Sequence, residues 1–118
     1  MKRILVCGGR DFDDWALLLG WLDRALPQFG HVHVVQGGAK GADFLARVWA
    51  KYRAQTMEEH PADWKAFGPA AGNLRNQAML DVGVPDLVIA FPGGRGTADM
   101  VRRSRYAGVE TFEVQPNV

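Results

Sequence analysis

The stretch FPGGRGT at positions 91–97 has the residue types of a phosphate-binding loop. It follows an apolar run and precedes a helical pattern, so its glycines stand where a strand turns into a helix. The first turn of a helix has unpaired backbone N–H groups and partial positive charge, and both attract phosphate or carboxylate. Thr97 is expected to cap this helix and to offer its hydroxyl to a phosphate oxygen. The sequence therefore predicts an anion site made of Pro92, Gly93, Gly94, Arg95, Gly96 and Thr97.

Two more glycine turns follow apolar runs earlier in the chain. If the strands are parallel, all three turns lie at one edge of the sheet, where ligands bind at the point of reversed strand order. A tight strand-to-helix turn explains any one of them, but three at one edge favour a binding site. The predicted walls of this site are Gly8, Gly9, Arg10 and Asp11 in the first turn, and Gly37, Gly38, Gly41 and Asp43 in the second.

Other side chains give weaker signals of function. Trp64, beside Asp63 in an irregular stretch, can stack on a base. His31 and His33 share one side of a strand but lack a third ligand at metal-binding spacing. Neither G-x-x-x-x-G-K-S/T nor G-x-G-x-x-G with a following acidic residue is present, which argues against ATP hydrolysis and NAD-dependent redox chemistry. No metal and no cofactor are expected.

Short apolar runs alternate with longer helical patterns along the chain. Near-continuous apolar runs are typical of parallel strands buried on both faces, and strands that alternate with helices form a doubly wound sheet. We therefore predict one Rossmann-like α/β domain over residues 1–118, with five parallel strands in the order 3-2-1-4-5 and helices on both faces. The strands are predicted at 3–7, 32–36, 55–60, 86–91 and 110–114, the helices at 13–26, after Gly41, at 73–82 and at 98–107, and a long loop at 61–72.

Composition limits the partners that this chain can have. Its 118 residues carry a net charge of +1, so charge alone implies neither a nucleic acid nor a membrane surface. The apolar runs are too short for a bilayer, and the lone Cys7 agrees with a reducing compartment. We therefore expect a cytoplasmic protein.

Five motifs together resemble the YspA-like family of the SLOG superfamily, which groups the Smf/DprA proteins and the Lonely Guy phosphoribohydrolases. The resemblance implies a Rossmann-like fold and a site for nucleotides or nucleotide-derived ligands, and it leaves open whether they are sensed or processed. The motifs are CGGRDF at 7–12, GGAKGAD at 37–43, PADW at 61–64, AGNLRNQAM at 71–79 and FPGGRGTADM at 91–100.

The Lonely Guy enzymes cleave the N-glycosidic bond of nucleoside 5′-monophosphates and carry an arginine ahead of a PGGxGTxxE motif. Arg75 matches that arginine, and the segment that holds it adds Asn76 to the ligand-binding residues implied by the resemblance. Met100 replaces the final glutamate of the motif, and Asp99 is one residue earlier, about 100° away around the helix. The resemblance therefore implies phosphate binding better than it implies hydrolysis.

The favoured hypothesis is a binding domain for a nucleotide or a nucleotide derivative. Arg10 or Arg75 would neutralise the phosphate, Asp11 or Asp43 would accept ribose hydroxyls, and Trp64 would cover the base.

Two other hypotheses remain. In an N-glycosidase or phosphoribohydrolase, Arg75 would be catalytic, and Asp11, Asp43, Asp63 or Asp99 would supply the missing carboxylate. Single-stranded DNA binding, by analogy with the Smf/DprA branch, is disfavoured because the charge is near neutral and no long basic stripe exists.

Aromatic residues also predict self-association. Four Trp, six Phe and two Tyr are a large complement for one small core. In the helix after Gly41 we expect Leu45, Val48, Trp49 and Tyr52 to face that core, which leaves Phe44 or Phe67 for an interface. Together with the dimers common in the superfamily that the chain resembles, this favours a homodimer.

Overall fold

Five parallel strands form one sheet in the order β3-β2-β1-β4-β5, as predicted. The computed structural model describes residues 1–116. The three inner strands are almost entirely buried, whereas the short edge strands are largely exposed, which agrees with their more polar sequences. Every strand boundary lies within one residue of its prediction. The strands are β1 (Lys2–Cys7), β2 (Val32–Gln36), β3 (Thr56–Glu59), β4 (Leu87–Ala90) and β5 (Glu110–Glu113).

Helices cover both faces of the sheet, and each face has its own core. One core lies between the sheet and the first two helices and includes Leu22 and Trp49, both fully buried. The other lies under the last two helices and includes Met79 and Met100. The helices are α1 (Trp15–Phe29), α2 (Ala42–Tyr52), α3 (Trp64–Phe67), α4 (Ala71–Asp81) and α5 (Arg95–Tyr106), with a 3₁₀ turn at Gly68–Ala70 between α3 and α4.

The predicted long loop at 61–72 is wrong, because this stretch is mostly helical. Asp63 begins α3 by accepting a hydrogen bond from the backbone N–H of Ala66 (3.0 Å). Gly68, with φ of +55°, ends this single turn. A helix of four residues is too short to show an apolar periodicity, so its capping residues were its only signal in the sequence.

The last helix begins three residues earlier than predicted, and Thr97 does not cap it. Gly94 occupies the cap position, and no side chain accepts a hydrogen bond there. Ala98 already donates a helical hydrogen bond to the carbonyl of Gly94 (3.0 Å), so Thr97 lies inside the first turn. The turn at Gly94 thus decides where the helix starts, and the capping preference of threonine does not.

The predicted inner face of α2 is also partly wrong. Trp49 is buried, but Val48 and Tyr52 are 37% and 65% exposed. Alanines at 42, 46 and 50 pack against the sheet instead, because small side chains allow α2 to lie close to it. An apolar stripe therefore faces outward on α2.

No helix among residues 1–116 is long and apolar enough to cross a membrane.

Candidate functional site

The first and last glycine turns meet at the carboxyl edge of the sheet, because β1 and β4 are neighbours. The backbone N–H of Gly9 donates a hydrogen bond to the carbonyl of Pro92 (2.9 Å). A Cβ atom on Gly93 would lie 2.6 Å from the nitrogen of Gly9, so this contact requires glycine at position 93. The two turns therefore touch each other at the ends of β1 and β4.

The second glycine turn packs against the first. Gly41 has a φ of +77°, and a Cβ atom there would collide with the carbonyl oxygen of Gly9. The N–H of Ala42, at the start of α2, donates to that same oxygen (3.2 Å). The three turns are therefore joined through backbone contacts that only small residues allow.

A cleft of about 420 Å³ lies above these turns, between α4 and the first turn of α5. It combines residues from every predicted motif. The predicted site residues that line it are Gly8, Gly9, Arg10, Asp43, Trp64, Arg75, Asn76, Gly94, Arg95, Gly96 and Thr97.

The remaining predicted residues lie around the cleft. Asp11, Pro92 and Gly93 line a neighbouring hollow of about 440 Å³ on the other side of the Gly9 turn. Asp63 caps α3. Gly37, Gly38 and Gly41 belong to the turn behind Asp43, and they are not among the lining residues.

Sequence reasoning missed six residues of the cleft. Asn73 and Gly72 precede Arg75 on α4, and the spacing of three between Asn73 and Asn76 was the signal that they share a helix face. Burial raises the pKa of the Cys7 thiol far above its usual range, so this residue lines the cleft as a neutral thiol. The missed residues are Cys7, Ala39, Pro69, Gly72, Asn73 and Met79.

The first turn of α5 is open towards the cleft. A Cβ atom on Gly94 or Gly96 would meet nothing within 4 Å. Because no side chain caps this helix and its first turn contains no acidic residue, its N–H groups are available to an anion. Arg95 adds a guanidinium group at the same place.

Arg75 crosses the cleft from α4 to the end of β2. Its Nη1 donates to the carbonyl of Gly37 (2.6 Å), and its Nε donates to Oδ1 of Asn76 (3.1 Å). Burial lowers the pKa of Arg75, the charge of Asp43 opposes this shift, and the charge of Arg10 adds to it. Arg75 and Arg10 therefore repel each other inside the cleft.

The arginines of the cleft differ from most others in residues 1–116. Arg3, Arg53, Arg102, Arg103 and Arg105 each form an ion pair with a carboxylate. Within the same residues, the three arginines that line the cleft form no ion pair; they are Arg10, Arg75 and Arg95. Arg10 instead lies over the ring of Trp64, 5.5 Å from its centroid.

Asp43 is the carboxyl group that lines the cleft. Burial raises its pKa to about 6, although the hydrogen bond from the N–H of Ala39 (3.2 Å) and the charge of Arg75 oppose the shift. The side chain is therefore mostly an ionised hydrogen-bond acceptor at pH 7, and it becomes a donor as well when it is protonated near pH 6.

Asp99 and Met100 lie outside the cleft lining. Asp99 accepts hydrogen bonds from Nδ2 of Asn76 (3.0 Å) and Nε of Arg103 (2.8 Å), and it also pairs with Arg102. Burial alone would raise the pKa of Asp99, but these hydrogen bonds lower it. Met100 is fully buried in the core under α4 and α5.

Comparison with known proteins shows the family of this chain. The model of the YspA, cpYpsA-related SLOG family matches residues 2–67. The chain belongs to this family. It is also 41% identical to the Gene 61 protein of Mycobacterium phage D29 over 120 residues, which cover 92% of this chain and 93% of the phage protein.

Solved structures support the Rossmann-like fold. DNA processing protein A (DprA) from Streptococcus pneumoniae superposes with a TM-score of 0.76 at 17% identity, over 100% of this chain and 52% of that one. The structure of TM1055 superposes with a TM-score of 0.74 at 20% identity, over 94% of this chain and 72% of that one. The match to the SLOG family model ends in α3, so it includes Arg10, Asp43 and Trp64 but not Arg75 or the start of α5.

Proposed function

We propose that this chain is a single nucleotide-binding domain that acts in the cytoplasm as a sensor or a processing domain. One observation carries the proposal. Three arginines that form no ion pair within residues 1–116 line the same cleft as the start of α5, which no side chain caps. Guanidinium groups and free N–H groups are the donors that proteins use for phosphate. The known family, whose members are related to nucleotide binding or processing, agrees with this chemistry.

The cleft suggests a place for each part of a nucleotide. The phosphate would accept hydrogen bonds from the first turn of α5, with Arg95 beside it. Asp43 would bind ribose hydroxyls, and it is better placed than Asp11, which lines the neighbouring hollow. Trp64, 48% exposed at the rim, would cover the base.

The alternative function, an N-glycosidase, is favoured by one specific observation. Of the carboxylates that we considered for catalysis, Asp11, Asp63 and Asp99 lie outside the cleft lining, and Asp43 lies inside it. A carboxyl group with a pKa of about 6 suits acid–base chemistry near neutral pH. In this alternative Asp43 takes the role of the glutamate that Met100 replaces in the Lonely Guy motif.

We expect the protein to bind AMP, GMP or CMP without releasing free base. Arg75→Ala should weaken the binding of these monophosphates by less than about tenfold, because it removes a positive charge from the cleft but leaves the contacts between the phosphate and the first turn of α5. Calorimetry measures the affinity and chromatography of the incubated nucleotide measures the base. Arg47→Ala is the control, since Arg47 is exposed on α2 and outside the cleft.

Two results would change the proposal. If none of these nucleotides binds, the nucleotide hypothesis is wrong. If the wild type releases base at an ordinary enzymatic rate and Asp43→Asn stops it, the protein is a hydrolase.

We also propose a homodimer through the outward stripe of α2, which comprises Phe44, Val48 and Tyr52. Phe44 and Tyr52 are 54% and 65% exposed, and the spacing of four places all three on one helix face. Light scattering at tens of micromolar should give about twice 13.0 kDa. Phe44→Ser with Tyr52→Ser should give the monomer, whereas Tyr106→Ser, on α5, should not. A wild type that stays at 13.0 kDa would disprove the dimer.

A further inference from the structure

We infer that the cleft selects ligands with two adjacent phosphoryl groups, and that Arg10 and Arg75 hold the second of them. This inference rests on the proposed function and names the ligand class for the same cleft. It covers nucleoside diphosphates and nucleotides linked through a pyrophosphate, which share this chemistry.

The first step is that the donors form two separate groups. The first turn of α5 and Arg95 lie above the end of β4, whereas Arg75 is anchored above the end of β2 by its hydrogen bond to Gly37. Because β1 lies between these strands, the two groups of donors reach the cleft from different sides. One phosphoryl group at the start of α5 leaves the second group of donors without an anion, whereas two linked phosphoryl groups can occupy both.

In the second step, one cation, Arg10, already faces the space between these two groups of donors. Arg10 follows β1, the middle strand, and lines the cleft with Arg75. The charge of Arg10 lowers the pKa of Arg75, and no carboxylate pairs with either residue in the part of the chain that the structure describes. Two guanidinium groups that repel each other are stabilised when an anion lies between them. The first turn of α5 can bind one phosphoryl group without Arg10 and Arg75. These two arginines therefore remain available for a second phosphoryl group.

Trp64 is the positioning residue for Arg10. The guanidinium carbon lies 5.5 Å from the centroid of the Trp64 ring, within the range of a cation–π contact. A Cβ atom on Gly72 would lie 3.3 Å from the edge of the same ring, so Gly72 allows the ring to lie close to α4. This contact holds the exposed side chain of Arg10 at the rim of the cleft.

The test is calorimetry with AMP, ADP and ADP-ribose, repeated with guanine and cytosine mono- and diphosphates. We expect at least one diphosphate or pyrophosphate-linked ligand to bind at least tenfold more tightly than its monophosphate. Arg10→Gln should remove about tenfold from the affinity for that ligand and less than twofold from that for the monophosphate. Trp64→Leu should also lower the ratio of the affinity for that ligand to the affinity for its monophosphate, and Trp64→Phe should restore this ratio.

Arg24→Gln is the matched control, because Arg24 also lies over a tryptophan ring, 5.6 Å from the centroid of Trp21, away from the cleft. It should leave the ratio unchanged, and the melting temperatures of both arginine variants should match the wild type. Equal affinities for mono- and diphosphates, or equal losses for both in Arg10→Gln, would overturn this inference and leave the proposed function standing. A protein that binds no nucleotide would overturn both.

Discussion

Gly94→Glu should reduce nucleotide affinity at least a hundredfold, or about 2.7 kcal/mol, while the protein stays folded. A Cβ atom at this position meets nothing within 4 Å, and Gly94 is exposed with a φ of −104°, which side chains tolerate. The new carboxylate would lie at the start of α5, where it stabilises the helix and occupies the proposed phosphate position. Calorimetry measures the affinity, and thermal unfolding measures the fold.

Two controls separate charge from bulk in this experiment. Gly94→Gln has nearly the same size without the charge and should retain more affinity than Gly94→Glu. Gly20→Glu places the same charge in an open position on α1, away from the cleft, and should bind normally. If a folded Gly94→Glu protein binds as the wild type does, the phosphate does not lie at α5.

Met100→Glu should destabilise the protein by about 3–5 kcal/mol and should not create base release. This substitution restores the final glutamate of the Lonely Guy motif, which Met100 replaces. It does not place a carboxylate in the cleft, because Met100 is fully buried among apolar side chains such as Met79 and Val88. A carboxyl group there would lose its hydration without an ion-pair partner. Denaturant unfolding measures the loss, and chromatography measures free base.

Met100→Leu is the control, since it conserves volume and should cost less than 1.5 kcal/mol, an order-of-magnitude limit. The loss in the free energy of unfolding caused by Met100→Glu should grow from about pH 5 to about pH 8. Burial raises the pKa of the new carboxyl in the folded state, so the folded protein retains a proton that the unfolded chain releases as the pH increases. A stable Met100→Glu protein that releases base would show that position 100 reaches the substrate.

The sheet could be predicted from sequence because its signals are local and strong. Buried parallel strands such as β1 and β4 are continuous apolar runs, and the rule for doubly wound sheets then gives their order. Helix boundaries were less accurate where glycine was involved. Gly96 lies inside α5 although glycine disfavours helices, because the chain is already held by its contact with the β1 turn.

Much of the candidate site could be read from its motifs, but side-chain pairing could not. The sequence placed Arg75 and the α5 turn together, and the structure lines one cleft with both. It did not show that Asp99 faces Asn76, which comes from a different helix. The ion pairs from Asp99 to Arg102 and Arg103 have i,i+3 and i,i+4 spacings, which are typical of pairs within one helix. Contacts between helices depend on the packed sheet, which periodicity does not describe.

The segment from residue 61 to residue 70 contributes Trp64 and Pro69 to the cleft, yet none of its ten residues is buried. It therefore shapes the cleft without supporting either core. Insertions, deletions or replacements in such a segment cost little folding free energy. Changes in this segment can therefore alter the shape of the cleft during evolution, while the strands and the start of α5 keep their sequence.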